Sequence, residues 1–405
     1  MMANESIPEL ADEIEFSQLK ENSYILSNTL HRHYVKINQD TYNLLILIDG
    51  KTTLSEICAI FNLKYRKDIN TKIITELLQN TLAQYGVLKG FDESIKPYQK
   101  PPYLKLSVQV VNEKILSKVV KFFYFLFAKW VAIILIVISF SFIGISLFLN
   151  FNLYQSFNIA ESVLFMILLM TISLVFHELG HATATSYFGV KYGGIGVGFY
   201  LLSPVFYADV TDVWRLPKIK RIVVNFAGVY FELLYCALVL LVGFIIHNNS
   251  IIIISITIFV RTLFNLNPFL RSDGYWILSD LMGMPNLMNH SSKRIKEALT
   301  LIKGTRIKWN KTDSFLFFYG MINYISIGAF LYYILLMNPN SILLFPERLV
   351  NIITDVVNGK YMISFETYFQ LLIPLTFIIL AFRVIKSFIQ RLLRRILLKK
   401  RGLPD

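Results

Sequence analysis

Long apolar stretches dominate the chain from residue 130 onward. Six of them follow one another, at residues 130–149, 162–187, 222–246, 251–269, 315–337 and 366–385. A helix of about 20 apolar residues crosses the hydrocarbon core of a bilayer, and more polar segments separate these stretches. The pattern predicts an α-helical polytopic membrane protein, with about six spans in a domain of residues 130–385.

Residues 19–90 have the pattern of a small water-soluble domain instead. Short alternating segments at 24–26 and 33–37 predict a hairpin, and apolar residues at helical spacing predict helices at 38–49, 54–61 and 70–84. Thr53 and Glu56 have the spacing of a capping box, which marks the start of the second helix. This order of elements is typical of a small α+β domain with a winged-helix-like fold.

Three segments lie outside these two domains. Residues 1–18 are acidic and predict a loose arm. Residues 91–129 contain Pro97, Pro101 and Pro102 and predict a linker, whose aromatic and basic end at 119–128 we expect at the membrane surface. Residues 386–405 form a basic tail.

The charge distribution orients the predicted spans. The chain has 405 residues, 55% of them hydrophobic, and a formal net charge of +13. Lys and Arg are frequent in loops 188–221 and 270–314 and in the tail, whereas loops 150–161 and 247–250 have none. The positive-inside rule therefore predicts a multi-pass protein of the cytoplasmic membrane with both termini, and hence the small N-terminal domain, in the cytosol.

The strongest chemical signal is His177-Glu178-Leu179-Gly180-His181, inside the second apolar stretch. Residues four apart lie on one face of a helix, so both imidazoles can bind one metal ion, with Glu178 beside them to accept a proton from water. A polar pair at a helix end is the alternative. Ionisable groups in an apolar helix are costly and indicate function, which favours a site for one Zn2+ ion.

A glycine-rich segment at 189–200 follows this stretch. Gly194, Gly196 and Gly198 alternate with larger residues, which favours a β-strand that other backbones can approach closely. A peptidase holds its substrate extended, so these residues are candidates for a strand edge that binds substrate. An ordinary connecting hairpin is the alternative.

Zinc needs a third protein ligand, and the segment Asn265 to Gly274 offers one. H-E-x-x-H on one span followed by N-x-x-P-x-x-x-x-D-G on a later one resembles the site-2 protease family of intramembrane zinc peptidases, in particular its peptide zinc metalloprotease branch. The resemblance implies that Asp273 is the third ligand. Asp280, Asp209 and Asp212 are competing carboxylates that match no ligand motif.

The chain departs from the family pattern at one position. The family often has A-G-P-x-x-N between the two motifs, whereas this chain has Ala227-Gly228-Val229-Tyr230-Phe231-Glu232. Asn225 or Asn265 are candidates for the transition-state support that the family's asparagine gives. Glu232 and Arg261 are expected at similar depth on neighbouring antiparallel spans, where each would offset the other's cost of burial.

The pattern Tyr42…Leu45…Leu47…Asp49-Gly50…Thr53-Leu54…Ile57 resembles the recognition element of pathways for ribosomally made, modified peptides. The resemblance implies that the domain captures the leader of a precursor along the strand edge at 33–37. A DNA-binding winged helix or a regulatory cap is the alternative. Because the third helix has only Lys72 as a basic residue, we expect no nucleic-acid partner.

Together these features predict an intramembrane zinc endopeptidase that cuts a modified-peptide precursor or a membrane-associated peptide. A peptide-modifying enzyme or an exporter is an expected partner. One alternative is a regulatory protease that cuts a membrane-anchored signalling protein. Another is a non-catalytic transporter or immunity protein with zinc in a structural role.

Overall fold

The computed structural model describes residues 5–97, 104–149, 159–200, 203–301 and 309–357, with scattered helical positions between 374 and 389. The chain forms two compact units. The first comprises Met1–Phe151 with Leu168–Pro285, and the second Asn152–Ile167 with Asn286–Asp405. The candidate site lies wholly in the first unit.

The N-terminal region begins with an antiparallel sheet in the order β1-β2-β3. Its strands are β1 (Ile14–Lys20), β2 (Ser23–Asn28) and β3 (His33–Asn38). The hairpin predicted at 24–26 and 33–37 corresponds to β2 and β3. The prediction of a loose arm over residues 1–18 is wrong for β1, because Ile14 and Phe16 pack against the apolar core of this region.

Three helices cover this sheet: α1 (Gln39–Leu45), α2 (Leu54–Tyr65) and α3 (Thr71–Thr75). The capping box of Thr53 and Glu56 opens α2, as its spacing indicated. Helix α3 continues as a π-helical segment, Glu76–Leu82, and a 3₁₀ turn, Ala83–Tyr85. The buried side chains form one core that includes Leu26, Leu45, Leu54 and Leu78.

The predicted linker contains a strand. β4 (Leu104–Val111) pairs with β5 (Ile195–Tyr200), which pairs in turn with β6 (Ser203–Ala208). β5 is therefore the central strand of this sheet. Helix α4 (Glu113–Val120) and a 3₁₀ segment, Lys121–Phe127, follow β4 and lead to the first long apolar helix.

Four helices of the described chain are long and apolar enough to cross a membrane. They are α5 (Lys129–Leu149), the part Phe165–Tyr187 of α6 (Ile159–Tyr187), α7 (Lys218–Ile245) and the segment Lys311–Met337. The fourth predicted span forms a shorter apolar helix, α8 (Asn249–Phe264), because the chain turns before Pro268. The sixth predicted stretch, 366–385, lies largely outside the described residues, as does the tail 386–405.

Helix α7 organises the first unit, since it packs against α5, α8 and the following helix α9 (Asp273–Met282). The second unit contains α10 (Leu287–Leu301), α11 (Lys311–Tyr332) with its π-helical end Tyr333–Met337, α12 (Asn340–Leu343) and α13 (Phe345–Val357). Within that unit Arg294 pairs with Asp313 at 2.9 Å, which joins α10 to α11.

Candidate metal centre

Helix α6 presents His177, Glu178 and His181 close to its C-terminal end, and all three side chains are buried. The four-residue spacing places the two imidazoles on one face. Their Nε2 atoms lie 3.2 Å apart. The two rings thus converge on one point, as the spacing predicted.

Asp273 reaches the same point from another part of the chain. After α8 the chain turns, and α9 begins at Asp273. One carboxylate oxygen lies 3.0 Å from Nε2 of His177 and the other 3.5 Å from Nε2 of His181. Within the described residues, these three side chains form the one group of His, Cys, Asp and Glu donors close enough to share an ion.

The donor set fits a zinc ion. His177 Nδ1 lies 3.3 Å from a Glu232 oxygen, and His181 Nδ1 lies 2.8 Å from the Val224 carbonyl oxygen. A carbonyl oxygen only accepts hydrogen bonds, so His181 carries its proton on Nδ1. A proton on Nδ1 of His177 would likewise face the Glu232 carboxylate. Both Nε2 lone pairs then point at the Asp273 carboxylate, whose Oδ2 finds no hydrogen-bond donor among the described residues. Converging lone pairs repel one another unless a cation lies between them.

The separations agree with tetrahedral zinc. Two ligand atoms with bonds of about 2.0–2.1 Å at a tetrahedral angle lie about 3.3 Å apart. The observed separations are 3.2, 3.0 and 3.5 Å, although the two measured to Asp273 end on different oxygens.

One stripe of α7 serves both histidines. Val224, Gly228 and Glu232 are spaced four residues apart and lie opposite His181, His177 and Ser173 of the antiparallel helix α6. A Cβ atom at Gly228 would fall 2.4 Å from His181 Nε2 and 2.7 Å from His177 Nε2. Glycine at this position therefore makes the room in which the two rings meet.

Glu232 is fully buried and links His177 to a polar cluster. Its Oε1 accepts hydrogen bonds from Ser173 Oγ at 3.0 Å and from Arg261. Its Oε2 faces His177. The structure thus places Arg261 against Glu232, the arrangement expected from their positions along the spans, and adds a contact between Glu232 and His177 that the sequence analysis did not anticipate.

Glu178 lies beside the two rings, and its Oε2 accepts a 2.6 Å hydrogen bond from the backbone N–H of Ala208 on β6. Gly196 and Gly198 lie on the central strand β5 and Gly194 lies directly before it, so the prediction of a free strand edge at these glycines is wrong. β4 and β6 flank β5 on both sides, and the outer edge of β6 carries the Ala208 N–H that faces Glu178.

The other candidate residues have partners elsewhere. Asp280 binds Arg221 at 2.7 Å and Asn225 at 3.0 Å, which removes both Asp280 and Asn225 from the centre. Asp209 and Asp212 bind Arg32 of the N-terminal region. Asn265 caps the end of α8, and its carbonyl oxygen accepts the N–H of Gly274 at 2.8 Å.

Two groups that hold the centre escaped the sequence analysis. The Val224 carbonyl and the Ala208 N–H are backbone groups, and no side chain marks such groups in a sequence. The contact between Glu232 and His177 did have a signal. Glu232 stands where the site-2 protease pattern places an asparagine that faces the centre.

The chain is similar to a protein of Bacillus subtilis (strain 168) named "Putative peptide zinc metalloprotease protein YydH". The two are 26% identical over 213 residues, which cover 50% of this chain and 82% of the relative. No protein-family model and no solved structure matches the chain. The similarity supports a metalloprotease.

Proposed function

We propose that this chain is an intramembrane zinc endopeptidase of the site-2 protease type, with both termini in the cytosol. The observation that carries the proposal is the convergence of two imidazoles and one carboxylate, with a fourth ionisable group, Glu178, buried beside them among apolar helices. Such groups are costly in an apolar bundle and indicate function there. The similarity to a relative named as a zinc metalloprotease supports the same chemistry.

His177, His181 and Asp273 would hold the ion. When bound, zinc supplies Lewis acidity toward the scissile carbonyl and lowers the pKa of a water molecule. Glu178 accepts the proton of the attacking water and delivers it to the leaving amine. The Ala208 N–H holds one oxygen of Glu178 in place, so the carboxylate is oriented before substrate arrives.

Glu232 and Val224 orient the two imidazoles. Acceptors on the Nδ1 side fix the tautomer and the direction of the ligating nitrogen, and the loss of such an acceptor weakens metal binding in other zinc proteins. The Val224 carbonyl performs this task for His181 by a 2.8 Å hydrogen bond. Glu232 performs it for His177 by its charge, with one carboxylate oxygen 3.3 Å from Nδ1.

The substrate strand adds to the outer edge of β6. In an extended chain successive N–H groups point to opposite sides. The N–H of Asp209 bonds inward to Gly194 while that of Ala208 points outward to Glu178. A peptide that pairs with this edge would lie beside Glu178.

The N-terminal region captures the leader of a modified-peptide precursor. Among the residues that the structure describes, β3 is the last strand of its sheet and pairs with a strand on one side only. A groove of about 390 Å³ lies beside its other edge, lined by Val35 and Ile37 of β3 and by Leu77 and Thr81 of the following helical segment. An unpaired edge next to a partly apolar groove is the surface that a short extended peptide uses to join a sheet.

Asp273→Ala should lower the zinc content and the activity together, because the ion loses one of its three protein ligands. Zinc per chain is measured by mass spectrometry of purified protein in detergent. Glu178→Gln is the matched control and should keep its zinc. Full zinc in the Asp273→Ala protein would show that another carboxylate completes the site.

Glu178→Gln should lower kcat by about 10²- to 10⁴-fold, the usual contribution of a general acid–base group. Hydrolysis of a fluorogenic peptide measures the effect, and the zinc content should stay at the wild-type level. A structural zinc site has no need of this carboxylate. Wild-type activity in the variant would therefore reject the catalytic role of Glu178.

Glu232→Gln should weaken zinc binding by about 10- to 100-fold, because the amide is a poorer partner for His177 Nδ1 than the carboxylate. Competition with a chelator of known affinity measures this. Ser173→Ala is the control, since Ser173 bonds to the other oxygen of Glu232. Equal affinities in Glu232→Gln and wild type would mean that Glu232 serves only as the partner of Arg261.

Thr81→Trp should fill the groove beside β3 and raise the KM for a leader-bearing precursor about tenfold, equivalent to about 1.4 kcal/mol of lost binding. The substrates are a candidate precursor peptide, sought among the neighbouring genes, and the same peptide without its leader. Asn80→Trp, at an exposed position that does not line the groove, is the control. Equal effects on both substrates would assign the domain to folding or regulation and favour a protease that cuts a membrane-anchored signalling protein.

A further inference from the structure

The N-terminal sheet is bound directly to the segment that follows β6. Arg32, in the turn between β2 and β3, makes two hydrogen bonds to Asp209, of 2.9 and 3.0 Å, and one of 3.1 Å to Asp212. Tyr34 on β3 donates a further hydrogen bond to the same oxygen of Asp212. A guanidinium that binds two carboxylates in this way fixes both their positions and their orientations.

Two more contacts extend this interface. Ser17 on β1 donates a 3.1 Å hydrogen bond to the carbonyl oxygen of Trp214, and Arg215 pairs with Glu15. The contacts therefore come from β1, the β2–β3 turn and the start of β3, and they meet one short segment, residues 209–215. The N-terminal domain was predicted to be a module on a linker, whereas the structure holds it on this segment.

The clamped segment is adjacent to the group that holds Glu178. Asp209 follows Ala208, whose N–H binds the Glu178 carboxylate at 2.6 Å. The backbone of Asp209 is fixed as well, by bonds to Gly193 at 2.7 Å and Gly194 at 3.3 Å. Arg32 thus holds the side chain of Asp209, and Gly193 and Gly194, directly before β5, hold its backbone. Both restraints act on the residue next to Ala208.

The backbone of Arg32 gives a second, independent observation. Its φ is +55°, in the left-handed region that non-glycine residues rarely adopt and that glycine adopts without cost. Glycine would therefore suit this turn better. Strain of this kind persists where surrounding contacts hold the residue in place, and at Arg32 these are the contacts with Asp209 and Asp212.

The charges of this contact are maintained at neutral pH. Burial alone would raise the pKa of Asp209, but the hydrogen bonds from Arg32 and Thr211 outweigh it, and the pKa lies below its ordinary value. Burial and the hydrogen bond to Asp212 raise the pKa of Tyr34. The aspartate is thus charged and the tyrosine protonated over the whole range in which a neutral peptidase works.

We propose that Arg32 is a positioning residue for Glu178, acting through Asp209 and the Ala208 N–H, and that the N-terminal domain is in this way an integral part of the hydrolytic site. The inference rests on the proposed function for its catalytic consequence. This role of the N-terminal domain differs from leader capture. If the domain positions Glu178, it is needed even for the cleavage of peptides that have no leader.

The test uses Arg32→Gly in the full-length protein. This substitution relieves the backbone strain and removes the clamp, so it separates a positioning role from a purely structural one. The kcat for a leaderless, mixed-sequence fluorogenic peptide should fall by up to about 100-fold, the cost of a small misplacement of a reacting group. The KM and the zinc content should stay near the wild-type values.

Asn22→Gly is the matched control. Asn22 also has a positive φ, +58°, in the other tight turn of the same sheet, and it has no part in the contact with residues 209–215. The kcat of the Asn22→Gly protein should equal that of wild type. Arg32→Lys keeps the charge but loses the planar fork, so its kcat should lie between those of wild type and Arg32→Gly.

Hydrogen–deuterium exchange gives a readout that does not depend on catalysis. Peptides covering residues 205–212 should exchange faster in Arg32→Gly than in wild type or Asn22→Gly. If no peptide is cleaved even by wild type, the proposed function fails, and this measurement still decides the inference. A folded Arg32→Gly protein with the wild-type kcat, or with unchanged exchange at residues 205–212, would overturn the inference. If Arg32→Gly does not fold, a wild-type kcat or unchanged exchange in Arg32→Lys would overturn it instead.

Discussion

The close approach of α6 and α7 is the constraint on which the rest of the site depends. A Cβ atom at Gly180 would fall 2.3 Å from the carbonyl oxygen of Ala227, so these helices touch backbone to backbone. Gly228 then leaves space for the two imidazoles. At this separation one face of α7 places the Val224 carbonyl beside Nδ1 of His181 and the Glu232 carboxylate beside Nδ1 of His177. A larger residue at either glycine would push the two helices apart and separate the imidazoles from the polar groups of α7. Buried polar groups would then lack partners, which is costly in an apolar interior.

The parts of the site that lie within one helix could be predicted from the sequence, and the parts that join distant segments could not. The spacing of His177 and His181 determines their convergence, because helix geometry is local. Asp273 was predicted only through a family resemblance, since nothing local connects it to α6. The partners of His181 and Glu178 are backbone groups, and their contribution follows from the packing of α7 and β6 rather than from a residue type.

The strands that escaped prediction had signals that other features concealed. Apolar residues alternate in Leu104–Val111, but the preceding prolines and the following aromatic run favoured a linker at the membrane surface. In Ile14–Lys20 the acidic residues suggested solvent exposure, although Ile14 and Phe16 alternate with polar neighbours. The omission of β4 had a consequence, because it left β5 as an apparent edge. With β4 in the sheet, the edge that faces Glu178 belongs to β6.

Charge balance explains why a glutamate can stand where the site-2 protease pattern has an asparagine. With zinc bound as proposed, the ion's two positive charges offset the carboxylates of Asp273 and Glu178. Glu232 adds a negative charge in a fully buried position, which would be costly alone. Arg261 adds the compensating positive charge and contacts the same carboxylate, so the pair leaves the net charge of the centre unchanged. The exchange thus requires two residues on two helices, and it places a negative charge 3.3 Å from His177 Nδ1, where an asparagine would place a neutral group.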